Sequence, residues 1–306
     1  MWVGRRPVVL VLGGANLDVL AHAASLRPRE SNPGRVRFRP GGAARNVAEN
    51  LSRLGTEVHL VCAAGEDPLW ERVLAPTREA GVVVHPVPLG EQPDTYVALV
   101  ADGERAWAVS DMRLCEALQP KHLHGALERC GPVDAIVADA NLCEPVLAAV
   151  AAVSGPRCLL TVSPAKAPRL RPWLQGTWLL ACGAPEAEIL SGTSVRSLEE
   201  AVRAGGRLRE VGCERVVVTL GAQGLVWCGQ QEVIVPAPQV PVTDPTGAGD
   251  AVAACAVFAL LAGYPDEQAA RLSAWAGALT VQADGATNPN LSAEVLCELT
   301  GVEFRG

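Results

Sequence analysis

Thr243-Asp244-Pro245-Thr246-Gly247-Ala248-Gly249-Asp250-Ala251-Val252-Ala253-Ala254 is a turn of small residues running straight into an apolar helix. The helical pattern continues over 250–262 and stops at Gly263, before Pro265. Gly247 and Gly249 allow a ligand close to the backbone, and the first N–H groups of a helix lack intrahelical acceptors. With the helix dipole, Gly247, Ala248 and Gly249 form a candidate anion hole. Asp250 stands beside it. A capping aspartate is often only structural. A carboxylate facing an anion site is repelled by its ligand, however, and accepting a proton from an attacking hydroxyl would give it a task.

Working outward, short apolar runs alternate with helical patterns. Val8–Leu12, Val58–Cys62, Val133–Ala138, Cys158–Val162, Trp178–Ala181 and Arg215–Thr219 read as strands. Their unbroken apolar character suits strands covered on both faces of a parallel sheet. Helical stretches include Ala43–Leu54, Leu198–Val211 and Glu267–Ala283. The alternation predicts a doubly wound α/β fold. Two stretches depart from it. Arg35-Val36-Arg37-Phe38-Arg39 alternates charged and apolar residues, and Tyr96–Val109 reads as a hairpin turning at Asp102-Gly103. They form either a small sheet outside the main one or extra edge strands. Pro236–Pro245 reads as a connection.

Three further segments offer polar groups at strand or helix ends. Gly14-Ala15-Asn16-Leu17-Asp18 follows the first strand, where open α/β sheets bind ligands. Asn16 and Asp18 would suit a polyol there, or merely form an Asx turn. In Pro40-Gly41-Gly42-Ala43-Ala44-Arg45-Asn46, the glycine pair reads as a hinge and Asn46 as a carboxamide within reach of a sugar hydroxyl. Thr219-Leu220-Gly221-Ala222-Gln223-Gly224 ends a strand in a small-residue turn that could hold a nucleotide. No Gly-Lys-Ser/Thr string occurs, and no GxGxxG follows a strand, which disfavours P-loop and dinucleotide sites.

Composition narrows the function classes. The 306 residues are 49% hydrophobic, enough for a sizeable core, and 26 Lys+Arg against 33 Asp+Glu give a net charge of −7. That balance argues against nucleic acid or an anionic membrane surface as partner. No apolar run reaches the length of a membrane span. The ten cysteines show no CxxC pair and no histidine at metal-ligand spacing, so buried free thiols in a reducing, cytoplasmic compartment are expected rather than a zinc site. The start, Met1-Trp2-Val3-Gly4-Arg5-Arg6 before Val8–Leu12, reads as the approach to a first strand rather than as a signal peptide.

Together these motifs resemble the pfkB (ribokinase-like) family of sugar and nucleoside kinases. Asp244–Asp250 is similar to its DTGAGD signature and Pro40–Asn46 to its glycine-rich N-terminal signature. Within the family, Ser31-Asn32-Pro33-Gly34, Ser110-Asp111-Met112 and Thr287-Asn288-Pro289-Asn290 resemble the pseudouridine kinases. The resemblance implies one ribokinase-like domain over 1–306. Its mostly parallel sheet would carry helices on both faces and a small β-sheet lid from about 19–41 and 95–112. It implies ribose held by Asn16, Asp18, Gly42 and Asn46, and phosphate held by Gly247, Ala248 and Gly249. Asp250 would be the base for the 5′-hydroxyl. ATP would lie along Thr219, Gly221 and Gly224, with Thr287 near adenine or a monovalent cation such as K⁺, and Mg²⁺ near Glu186. A homodimer through the lid is also implied. Other nucleosides or sugars, or a weakened ligand-binding homologue, stay open. The sequence departs from the family at Gly183, where Asn-x-x-Glu is usual, at Cys255 in place of Gly or Ala, and at Leu160-Thr161-Val162-Ser163, where an acidic residue and a proline are expected.

Overall fold

The computed structural model describes residues 5–101 and 104–305; Met1–Gly4 and the Asp102-Gly103 turn lie outside the described residues. In chain order the elements are β1 (Val8–Leu12), β2 (Asn16–Ala23), β3 (Gly34–Gly41), α1 (Ala43–Arg53), β4 (Glu57–Ala64), α2 (Leu69–Glu79), β5 (Val83–Pro88), β6 (Thr95–Ala101) and β7 (Glu104–Asp111). Then come α3 (Arg113–Glu116), α4 (Pro120–Cys130), β8 (Ala135–Asp139), α5 (Glu144–Ala152), β9 (Arg157–Leu160), β10 (Leu179–Gly183), α6 (Ala184–Ser191) and α7 (Leu198–Glu210). The chain ends with β11 (Val216–Thr219), β12 (Gly224–Cys228), β13 (Glu232–Pro236), α8 (Ala248–Leu261), α9 (Asp266–Thr280) and α10 (Ala293–Thr300).

Nine strands form the main sheet in the order β13-β12-β11-β10-β9-β8-β1-β4-β5. Those from β11 to β5 pair in parallel, while β12 and β13 add an antiparallel edge. Every residue of β1 is buried, as its unbroken apolar run required. Alternation sends Val9 and Val11 into one core with α1, α2, α8, α9 and α10. Leu10 and Leu12 enter a second core with α4, α5, α6 and α7. The sheet is therefore doubly wound. From β1 the chain builds outward to β4 and β5, then resumes on the other side of β1 with β8. The carboxyl ends of β1 and β8 thus flank the switch point, where such sheets leave a crevice.

A second sheet, ordered β3-β2-β6-β7, stands apart from the first. This resolves the alternative left by the charged strand and the hairpin: they belong to a separate sheet. Its first strand was not legible as one. Asn16, Leu17 and Asp18, read as a turn after β1, already pair with Gly41, Pro40 and Arg39 in β2–β3. Only residues 13–15 separate the two sheets along the chain. The second sheet is tied to the rest of the chain through Arg39, whose guanidinium pairs with Asp244 before α8 and Asp284 after α9.

Gly42 alone joins β3 to α1. Its φ is 102°, and a Cβ there would collide with the Gly14 carbonyl and lie 2.8 Å from the Ala15 Cα. Gly206, inside α7, has open space around it. The two glycines should answer substitution with opposite signs in urea unfolding. Gly42→Ala is expected to destabilise by about 1–3 kcal/mol, and Gly206→Ala to stabilise by about 0.5–1 kcal/mol.

Candidate active site

The site lies at the carboxyl end of the main sheet, between the mouth of α8 and the inner face of the small sheet. Gly247 is the N-cap of α8, with φ 79° and ψ −3°. A Cβ there would run into the Ala286 carbonyl. The first intrahelical bond at this end runs from Ala251 N–H to the Gly247 carbonyl, 2.9 Å. The N–H groups of Ala248, Gly249 and Asp250 thus have no acceptor in the helix. The turn is built as an anion hole would be.

Two cavities meet at this turn. One, of about 470 Å³, is lined by Thr219, Gly221, Gly224, Ala248 and Gly249. Its far wall comes from the 237–245 connection, with Val240, Val242 and Pro245, and from Ala278 and Val281 near the end of α9. A glycine-lined edge and an apolar wall suit a flat heterocycle with phosphates reaching toward α8. The second cavity, of about 190 Å³, is lined by Gly183, Glu186, Thr219, Gly249 and Asp250. Oxygen donors beside an anion hole fit a hard, partly hydrated cation. The sequence placed an absent Asn at Gly183. A side chain grafted there would meet Oε2 of Glu186, 2.6 Å from the added Cβ, so the Glu186 carboxylate already takes up that space.

Asp250 links the mouth of α8 to α1. Its Oδ2 accepts a 2.7 Å hydrogen bond from the Asn46 amide on α1. Burial pushes its carboxyl up to about 7, against the Asn46 hydrogen bond and the Arg45 charge; Asp139 and Asp18 push it further up. Asp18 accepts from the Asn16 amide at 2.6 Å, and burial raises it to about 6. Asn16, Asp18, Gly42, Asn46 and Asp250 thus lie on one connected path from the second sheet to α8. Thr287 does not join the cavities: its hydroxyl donates to Glu49 on α1, 2.9 Å away.

Two residues escaped the sequence reading. Arg45 is fully buried, donating to Glu49 at 2.7 Å, to the carbonyls of Gly41 (3.0 Å) and Pro40 (3.1 Å), and to the Asn46 side-chain oxygen. It thereby turns the Asn46 amide nitrogen toward Asp250. Asp139, at the end of β8, is also fully buried. It accepts from the N–H groups of Gly14 (2.8 Å), Ala44 (3.3 Å) and Asn141 (2.9 Å). The predicted strand stopped one residue short of it. A carboxylate ending an apolar run at the switch point was the available signal.

The match to known proteins covers nearly the whole chain. The profile of the pfkB family carbohydrate kinases matches residues 7–293. The pseudouridine kinase of Escherichia coli is 31% identical over 296 residues, covering 93% of both chains. The guanosine-inosine kinase of Exiguobacterium acetylicum is 27% identical, covering 86% of this chain and 91% of its own. Among solved structures, a carbohydrate kinase from Agrobacterium tumefaciens superposes with a TM-score of 0.82 at 33% identity, covering 97% of both chains. With the ribokinase-like architecture and the GAGD turn in place, the chain belongs to the pfkB family of carbohydrate kinases.

Proposed function

We propose that this kinase transfers the γ-phosphoryl group of ATP to the ribose 5′-hydroxyl of pseudouridine. The observation that carries the reading is the position of Asp250, which stands at the α8 anion hole and is held by Asn46 from the acceptor side. The pseudouridine kinase of Escherichia coli, at 31% identity, supports the choice of nucleoside.

In this mechanism Asn16, Asp18 and Asn46 orient the ribose. Asp250 accepts the hydroxyl proton as the oxygen forms its bond to phosphorus. The bond from phosphorus to the bridging oxygen breaks, and ADP leaves with the electron pair. The free N–H groups of Ala248, Gly249 and Asp250 take the charge developing on the phosphoryl oxygens. Glu186 would hold Mg²⁺, mostly through water, and the ion would neutralise phosphate charge. Closure of the small sheet about Gly42 would exclude water as a competing acceptor. A different nucleoside is the second reading, favoured by the 27% identity to a guanosine-inosine kinase.

The small sheet supports a dimer as well. In β3, β6 and β7 the residues Phe38, Val97 and Val109 share one face, and Leu99 and Trp107 continue it. Trp107 is 70% exposed, Val109 69% and Phe38 52%. Arg39, Asp18 and Tyr96 occupy the opposite face, toward the site. An apolar sheet face with its polar face turned to the substrate suits a second copy of the chain.

Four outcomes are expected. Coupled ADP release across pseudouridine, uridine, inosine and ribose should give pseudouridine the highest kcat/KM; a higher value for another acceptor overturns the assignment. Asp250→Asn should bind ATP normally and lower kcat by about 10²–10⁴. In the parent enzyme the base must be unprotonated. Thus kcat/KM should rise with pH, level off above about 7, and steepen below about 6 where Asp18 also takes a proton. Finally, Phe38→Glu with Trp107→Glu should halve the mass seen by light scattering; a parent protein already monomeric refutes the dimer.

A further inference from the structure

His59, His85 and Cys130 come from three separate elements and meet away from the active site. His59 lies near the start of β4, His85 in the edge strand β5, and Cys130 is the last residue of α4. One ligand atom from each lies within 4.8 Å of the other two. Nδ1 of His59 is 2.9 Å from Nε2 of His85, which is 3.7 Å from the Cys130 sulfur. A tetrahedral zinc ion would set its ligands about 3.3 Å apart between nitrogens and about 3.6 Å apart between nitrogen and sulfur. The two separations lie within about 0.4 Å of those values, and the third, between His59 and Cys130, is no longer than 4.8 Å. Sequence spacing hid it, because 26 residues separate the histidines and 45 separate His85 from Cys130.

We propose that His59, His85 and Cys130 form a zinc(II) site, with solvent as the fourth ligand. Imidazole nitrogens with a thiolate select a borderline ion such as Zn²⁺ over hard Mg²⁺. The active-site cation and this one therefore do not compete. The surroundings are those of a ligand set. Nε2 of His59 lies 3.3 Å from the Glu57 carboxylate, which holds the ring with Nδ1 turned inward. His59 is buried, while His85 and Cys130 are half-exposed, leaving the ion a way in.

Ion entry moves protons in a defined way. Without metal, Arg129 Nε donates to His85 Nδ1 at 3.2 Å. His85 therefore carries its proton on Nε2 and passes a hydrogen bond to His59 Nδ1. With metal, the His85 proton shifts to Nδ1 and Arg129, an exposed side chain, swings away. The Cys130 thiol would bind as a thiolate, releasing one proton to solvent. No electron is transferred. The ion would clamp β5, the edge of the main sheet, to β4 and α4.

The test is a Co²⁺ titration of the full-length protein in excess Mg²⁺, followed by Zn²⁺ displacement. One Co²⁺ per chain should bind with tetrahedral visible bands and a thiolate-to-cobalt charge-transfer band, both erased by zinc. Cys130→Ser should remove the charge-transfer band, and His85→Gln should weaken binding by more than about 100-fold. Arg129→Gln, at an exposed position, should tighten binding, since it removes the competing donor and a positive charge. Absence of the thiolate band in the parent overturns the proposal. So does a band that survives Cys130→Ser, or unchanged affinity in Arg129→Gln. The kinase assays bear on Asp250 alone, so the two assignments fail separately.

Discussion

A buried guanidinium holds the acceptor side together. Arg45 has 1% of its surface exposed. Glu49 pairs with it directly, and the charges of Asp18 and Asp250 act on it. Burying a lone arginine would cost several kcal/mol. Here the donors meet Glu49, two hinge carbonyls and the Asn46 amide. Glu49 in turn binds Arg53 and Thr287, so the same network reaches the loop after α9. Removing the guanidinium would leave Oε2 of Glu49 without its partner, release the carbonyls of Pro40 and Gly41, and free the Asn46 amide to flip away from Asp250.

The acidic balance of the chain poses a problem for a phosphate site, and burial resolves part of it. Asp18 and Asp250 both face the cleft, and both have carboxyl pKa values raised into the range near neutrality. A carboxyl poised near 7 is a competent base, yet it carries less than a full charge when phosphates enter. Backbone N–H groups supply the attraction, so the site needs no surplus of lysine or arginine around the α8 turn.

Much of this was legible in the residues. Strands buried on both faces announce themselves as apolar runs, and β1 matches its expected bounds of Val8–Leu12. The turn before α8 was legible because glycine and alanine at a helix mouth have few other uses. What escaped depends on pairing at a distance. Asn16–Asp18 is too short and polar to read as a strand until Gly41, Pro40 and Arg39 are set beside it. Arg45 reads as an ordinary surface charge until its carbonyl partners appear. The 237–245 connection looked like plain linkage because its role as a cavity wall depends on α9, some forty residues later. The resemblance of the GAGD turn and the glycine pair to a family's signatures carried the reading across those gaps.

Helix α8 is buried from Ala251 through Phe258 to Ala259, and most of those residues are small. Its packing against α1 and α9 leaves little slack, because interiors are as dense as organic crystals. The same helix begins with three N–H groups that have no acceptor within it, those of the proposed phosphate site. A rigid rod transmits displacement along its length. An added methyl group at Ala254 or Ala256, out of reach of any ligand, would push the rod and shift the donors at its tip. On the proposed function, tolerance to mutation in this core is therefore set by the geometry of the α8 mouth as well as by stability, and the middle of α8 is constrained as an active site is while touching no substrate.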